Sequence, residues 1–407
     1  MLKSQTRAFP LRREAKGRNF VFTLNFLLLP PDKRKTERTT LMERPSLRFR
    51  ADGTFKILQL TDMHLHDDGR FDEPAINGAL ELISREKPDL IAFTGDIACD
   101  GNHDMCDNRL ERFLNKVDEL GVPYTFVLGN HESDASEDGE EGRQFVIAQV
   151  LSRHSLCLFE KGDPTLGVGN YVTPILSRNG ASRAWALYHL DCHSGIKYNF
   201  TPDKLIRRDA YITHLQRAWL EETHNTLCAE EGHGVPSILF DHVPPAEFDD
   251  VWMFDGIWGD HGEMICRAPI SDGLVELLIR LGDFKGIFVG HDHTNSFQGN
   301  YMGLTLAYGR CSGNFRWALW PTPHALQSTA KCHPYEGESP YTDHFPRGGR
   351  VIMLNEETGK IDTWVTLYNG ESGIGEFTPP PFNRFNFFVP LNGQEGPLGD
   401  VPDGSGN

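Results

Sequence analysis

An α/β fold is predicted for this 407-residue chain by three observations. Short runs of β-branched and aromatic residues alternate with amphipathic stretches of helical period. The runs have the length of buried strands, and each ends in polar residues and glycine, as parallel strands covered by helices do. The first run, 55–61, is followed by a helical pattern over 74–86, the run 90–94, a second helical pattern over 108–120 and the run 124–128. That order is a βαβαβ unit. Residues 171–176 and 184–191 read as two further strands joined by the turn Arg178-Asn179-Gly180, and a helix is expected over 206–226. Strands follow at 237–240 and 286–289. Late strands at 304–308 and 350–355 close the pattern, with 360–367 pairing back across Glu357-Thr358-Gly359. The tail from Asn369 is rich in Pro, Gly, Asn and Phe without periodicity, and is expected to be a wrapped or disordered arm. The expected organisation is therefore a basic extension over 1–45, a central domain over 46–368 and a tail over 369–407.

Charge narrows the partners. The chain carries 40 Lys/Arg against 57 Asp/Glu, a net charge of -17. The first fifty residues hold 13 Lys/Arg against 4 Asp/Glu, a surplus of +9, which leaves -26 on residues 51–407. A body that acidic repels nucleic acid and anionic membrane. The longest nearly apolar stretch, 20–29, is broken by Thr23 and Asn25 and falls far short of the roughly 18 residues of a spanning helix. Basic residues precede it as in a secretion signal, but it ends in Leu29-Pro30-Pro31-Asp32-Lys33, without the small residues that a signal peptidase reads. A disordered extension, or true initiation at Met42, is the plainer expectation, and it favours a cytoplasmic over a secreted location. Eight cysteines are scattered without a CxxC pair, which excludes a zinc ribbon and a thioredoxin-type motif and leaves the redox compartment open.

Five predicted strand ends deliver residues of metal-ligand type. Asp62 and His64 follow the first run, Asp96 the second, Asn130 and His131 the third, His242 the strand at 237–240, and His291 and His293 the strand at 286–289. In α/β sheets the ligand crevice lies beyond the carboxyl ends of the strands, so residues one to three positions past successive strands converge there. Each motif alone is weak, because a single Asp at a strand end is usually a turn or helix cap and a single core His is usually just hydrogen-bonded. Five in order, three of them preceded by glycine, make a site.

These residues resemble the signature of the calcineurin-like metallophosphoesterases. The matching stretches are Asp62-Met63-His64, Gly95-Asp96-Ile97-Ala98, Gly129-Asn130-His131-Glu132, His242 and Gly290-His291-Asp292-His293. Within that superfamily the chain looks most like the purple-acid-phosphatase-related phosphatases of fungi and plants. The stretches that carry this are 47–53, Gln216-Arg217-Ala218-Trp219-Leu220-Glu221 and Leu306-Ala307-Tyr308-Gly309, and the likeness spans about residues 46–368.

The resemblance implies a four-layer α/β/β/α sandwich and a phosphatase with two transition-metal ions, Fe, Mn or Zn, divalent or of mixed valence. It makes Asp96 the bridging ligand, with Asp62, His64 and His293 completing one metal site and Asn130, His242 and His291 the other. His131 would face the phosphate as general acid or electrostatic stabiliser. Chemistry asks for the same parts, since a phosphoester dianion must be neutralised, a nucleophile generated and the leaving oxygen stabilised, which two metals do together. The expected reaction is hydrolysis of phosphomonoesters, phosphoproteins among them, by a metal-bridging hydroxide. The alternatives are a phosphodiesterase on the same site, or a scaffold that keeps the fold with a dead site.

Other residues carry less. Glu132 reads equally as a group orienting the His131 ring or as one more solvated acid of the run 132–141, and Asp292 as a residue tying down a turn. Arg310 is the nearest candidate for a phosphate clamp, although a surface position is the plainer expectation. His66, Asp67 and Asp68 read as loop or as support for the ligands, and the twelve histidines outside the motifs as structural or surface residues. Purple enzymes carry GDxxY, whose phenolate binds ferric iron; here the Tyr position is Cys99, so the resemblance implies a colourless enzyme with a divalent pair. A Cys99 thiolate ligand is the alternative.

Overall fold

Side-chain alternation along the central strands decides the layering. The computed structural model describes residues 44–65, 69–98, 106–133, 140–193, 196–201, 204–208, 211–313 and 346–381. In chain order the elements are β1 (Leu47–Arg48), β2 (Thr54–Leu60), α1 (Gly69–Glu86), β3 (Leu90–Thr94), α2 (Cys106–Asp118), β4 (Tyr124–Val127) and α3 (Glu140–Leu151). Strands β5 (Tyr171–Leu176) and β6 (Arg183–His189) follow, then the hairpin β7 (Ile196–Thr201) and β8 (Lys204–Arg208), α4 (His214–Glu231), β9 (Ser237–Phe240) and α5 (Glu247–Asp250). The rest are β10 (Ile257–Trp258), α6 (Leu274–Leu281), β11 (Phe284–Val289), β12 (Gln298–Tyr301), β13 (Leu304–Tyr308), β14 (Gly348–Asn355), β15 (Ile361–Leu367), β16 (Ser372–Gly373) and β17 (Phe377–Thr378).

Two large sheets result, of order β16-β15-β14-β2-β3-β4 and β1-β5-β6-β9-β11-β13-β12-β10-β17. In β2 and β3, Leu58, Leu60, Ile91 and Phe93 pack under helices α1, α2 and α3, against Ala79, Leu82, Phe113 and Leu151. Their neighbours Phe55, Ile57, Leu90 and Ala92 point the other way, onto Trp185, Ile238, Phe240 and Phe288 of the second sheet. That sheet turns Leu239, Ile287 and Val289 outward onto Leu220 of α4 and Leu274 and Leu278 of α6. A period of two thus feeds three cores between four layers, because successive strand side chains face opposite ways. The fold is the α/β/β/α sandwich, and β2, β3 and β4 run parallel as the βαβαβ pattern requires.

Two sequence expectations are corrected. The helix expected over 206–226 begins only at His214, and residues 204–208 form the second strand of a hairpin. Its true start is set by Thr213, whose hydroxyl accepts from the Gln216 N–H while the Gln216 side chain accepts from the Thr213 N–H, a reciprocal cap. Helix α1 begins at Gly69, upstream of Pro74. Of the tail, residues 369–381 are described, and there β16 extends one sheet at β15 and β17 extends the other at β10. No helix among the described residues is long and apolar enough to cross a membrane.

Candidate metal centre

Every motif leaves a strand at its carboxyl end, and backbone bonds continue the register beyond it. The Asp62 N–H donates to Gly95 O (3.0 Å) and the His64 N–H to Asp96 O (2.9 Å). The chain must turn sharply to aim these side chains into one crevice. Among the described residues, seven non-glycine positions have positive φ, and four are Asp62, His64, Asp96 and His291. L-residues adopt that region at a cost that surrounding structure must offset, and such positions concentrate at functional sites. Glycine solves the crowding next door: a Cβ on Gly129 would overlap the Asp96 carboxylate, and one on Gly290 the Thr61 hydroxyl.

Asp62, His64 and His293 bring one ligand atom each within 4.8 Å of one another, and Asp96, His242 and His291 do the same. Asp96 lies between the groups, with Oδ2 3.0 Å from His242 Nε2 and 3.9 Å from His64 Nε2. Asn130 Oδ1 lies 3.1 Å from His242 Nε2. The half-buried His131 ring stands edge-on to His64, centroids 5.2 Å apart, and the His131 backbone N–H donates to Asp96 Oδ1 (2.8 Å). All eight sequence-predicted residues therefore meet in one place.

The donor set fits cations. His242 Nδ1 donates to the Thr94 carbonyl (2.8 Å), so the neutral ring turns a lone pair at Nε2 toward Asp96 Oδ2 and Asn130 Oδ1. Two acceptors within 3.1 Å of that lone pair ask for a positive charge, a proton on Nε2 in the metal-free protein or a metal ion in its place. Across the centre, His64 Nε2 and His293 Nε2 face each other at 2.9 Å. The Asp96 Oδ2 atom is buried without a well-formed hydrogen bond among the described residues.

Electrostatics of the metal-free protein follow. Burial disfavours the His242 imidazolium, yet the Asp96 and Asp62 carboxylates outweigh it and raise its pKa to about 10. Burial pushes Asp62 up to about 6, Glu132 to about 7 and Asp241 to about 8. Burial opposes ionisation of Asp96 too, but His242 and His131 hold it well below the usual carboxylate range. A group whose pKa is higher folded than unfolded stabilises the fold below its unfolded value and loses that contribution as pH rises through the folded value. For the carboxyls that window runs upward from about 4, and for His242 from about 6.5 to about 10. The Asp96 contribution has the opposite sign but is lost only at acid pH. Metal-free protein is therefore expected to lose thermal stability between about pH 6 and pH 9, and added Mn or Zn, replacing protons at the ligands, to restore it. Scanning calorimetry with chelator and with metal checks this, and a metal-free profile that is flat or rising would refute it.

Glu132 is neither a solvated acid nor an orienter of the His131 ring. It is fully buried, and its Oε2 accepts from the Asp96 N–H (3.0 Å) and the Gly129 N–H (2.6 Å) while Oε1 accepts from the Ile97 N–H (2.9 Å). It clasps the loops that carry Asp96 and Asn130. In Glu132→Gln the amide nitrogen must face one of those donors, so a loss of about 1–3 kcal/mol is expected from the orphaned N–H, with weaker metal binding. Denaturant melts measure it; stability unchanged within error would mean that the clasp is not needed.

Arg310 is also corrected. It is buried, donating to Asp260 Oδ2 (2.6 Å), Ser296 Oγ (3.0 Å) and Pro346 O (2.8 Å), so it is a packed residue rather than a surface one. Asp292 ties its turn as expected, accepting from the Cys266 N–H and Asn295 Nδ2. His189 is a core ring stacked on Tyr171, centroids 4.2 Å apart. Thr61 was not singled out in the sequence, yet its hydroxyl donates to Asp62 Oδ2 (2.7 Å) and fixes that carboxylate. His66, Asp67, Asp68, Cys99 and the first 43 residues lie outside the described residues.

The sequence pattern of the calcineurin-like phosphoesterases matches residues 55–295, which contain every motif above. The chain belongs to that family. Curated relatives include the probable inactive purple acid phosphatase 28 of Arabidopsis thaliana, 31% identical over 305 residues, which are 68% of this chain and 74% of the relative. The probable inactive purple acid phosphatase 14 of the same plant is 28% identical over 66% of this chain and 73% of its own. The phosphatase DCR2 of Saccharomyces cerevisiae is 26% identical over 60% of this chain and 45% of its own length. This metallophosphoesterase thus joins a family of phosphoric ester hydrolases and has two candidate ligand groups for metal at the expected strand ends.

Proposed function

We propose that this metallophosphoesterase is a two-metal phosphomonoesterase, with phosphoproteins among its substrates. The carrying observation is the position of Asp96, one carboxylate between two ligand groups. Asp62, His64 and His293 with Asp96 would hold one ion, and Asn130, His242 and His291 with Asp96 the other. Hard oxygens mixed with imidazoles suit Fe, Mn or Zn. Bound there, the pair would supply charge to neutralise the phosphate, a water of lowered pKa and a Lewis acid at the leaving oxygen. The protein's own residues do the rest. Burial excludes bulk water around Asp62, Asp96 and His242, which strengthens each electrostatic contact. His131, half-buried beside them and held by its backbone bond to Asp96, is placed to hand a proton to the leaving oxygen.

Two Arabidopsis relatives carry the word inactive in their names and the yeast relative is named a phosphatase. For this chain the complete ligand set supports turnover. The test is metal content of the purified protein with hydrolysis of an aryl phosphate and its bis-aryl diester. Two ions per chain and faster monoester turnover are expected. Faster diester turnover would make the enzyme a phosphodiesterase, and two ions with no turnover of either ester would favour a binding platform.

A further inference from the structure

A second cluster of ligand-type side chains lies at the opposite end of the strands. His224 and Cys228 sit one turn apart on α4, and Asp283 immediately precedes β11. Their donor atoms converge: His224 Nε2 is 3.0 Å from Asp283 Oδ2 and 3.4 Å from Cys228 Sγ, and Cys228 Sγ is 3.7 Å from Asp283 Oδ2. Seven residues of β-spaced chain separate Asp283 from the site about His291, or about 20 Å, so this is a separate place in the molecule.

We propose that His224, Cys228 and Asp283 form a zinc-binding site, with water as the fourth ligand. Zinc bonds of about 2.0–2.3 Å give tetrahedral edges of about 3.3–3.6 Å, and the three donor separations fall close to that triangle. A neutral imidazole, a thiolate and a carboxylate balance the charge of one divalent ion. The surroundings orient these groups for ligation. The Tyr188 hydroxyl lies 3.2 Å from His224 Nδ1 and accepts its proton in the tautomer that leaves Nε2 a lone pair, the orientation a ligating histidine needs. The Val235 N–H donates to Cys228 Sγ (3.4 Å), which presents sulfur as an acceptor. Asp283 is anchored through its carbonyl by the Ser237 N–H (3.1 Å), and Gly234 leaves room where any Cβ would overlap its carboxylate.

A catalytic triad is the wrong reading of the same three residues. Sulfur and carboxylate both face Nε2, so the ring cannot pass a proton from one nitrogen to the other between them. Burial, and Asp283 after it, raise the Cys228 pKa, which opposes a reactive thiolate. Zinc binding therefore releases the thiol proton to solvent. Its mechanical effect is to tie the end of α4 to the start of β11 beneath β9.

The experiment uses the full chain, reduced and stripped with chelator, and zinc alone as probe. Iodoacetamide modification of Cys228, followed by mass spectrometry, is expected to slow at least tenfold on adding zinc. His224→Gln is expected to abolish that protection, and Asp96→Asn, at the other centre, to keep it. Equal modification with and without zinc in the wild type, or full protection retained in His224→Gln, would overturn the site. If His224→Gln does not fold, Asp283→Asn takes its place on a partly exposed side chain. As a second measurement, cobalt(II) should give a thiolate charge-transfer band that is weaker or absent in Cys228→Ser; identical spectra would also overturn the proposal.

Discussion

Asp96→Asn is expected to purify with fewer metal ions per chain and to lose turnover to background. The substitution keeps shape and hydrogen-bonding size but removes the negative charge that lies between the two ligand groups. Asp96 Oδ2 lies 3.0 Å from His242 Nε2 and 3.9 Å from His64 Nε2, so an amide nitrogen placed there would occupy imidazole lone pairs that otherwise face a cation. With the amide nitrogen at the Oδ1 position instead, it would oppose the His131 backbone N–H, which now donates to Oδ1 at 2.8 Å. A backbone donor facing a side-chain donor in a buried site costs about 1–3 kcal/mol, in addition to the lost cation affinity. Metal analysis and aryl phosphate hydrolysis of the variant test it together. Two ions per chain with normal turnover would sink the bridging role.

His131→Ala should do the opposite to metal. Its ring lies outside both three-residue ligand groups, so both ions are expected to remain while the rate falls by about 10²–10⁴, the usual effect of losing a general acid or a preorganised stabiliser. The loss should be smaller for an ester whose leaving group needs no proton, such as a nitrophenyl phosphate, than for an alkyl phosphate. Metal content falling in parallel with activity would make His131 a ligand. Equal losses on both esters would make it a stabiliser of the phosphoryl oxygens.

By itself the sequence determined the alternation of strands and helices and the list of polar residues at strand ends. Both are local signals. Hydrophobic period reports which face of a short segment is buried, and a ligand one to three residues past a strand is placed by that strand alone, as with Asp62 after β2 or His242 after β9. Tertiary structure decided what depends on partners far along the chain. His64 meets His293 across 229 positions, a grouping that the family resemblance implies and that no local sequence signal shows. Glu132 reads as part of an acidic loop, yet three backbone donors from two strand ends bury it. Arg310 reads as surface until Asp260, fifty residues away, pairs with it. The hairpin before α4 is hidden in the sequence because residues 206–226 read as one helical period across a boundary that the Thr213 cap sets. His224 and Cys228 show the spacing of one helical turn, but Asp283 joins them only through the packing of α4 against the start of β11. A polar side chain's burial is governed by whether distant groups satisfy it, and that information is carried by the fold rather than by any window of sequence.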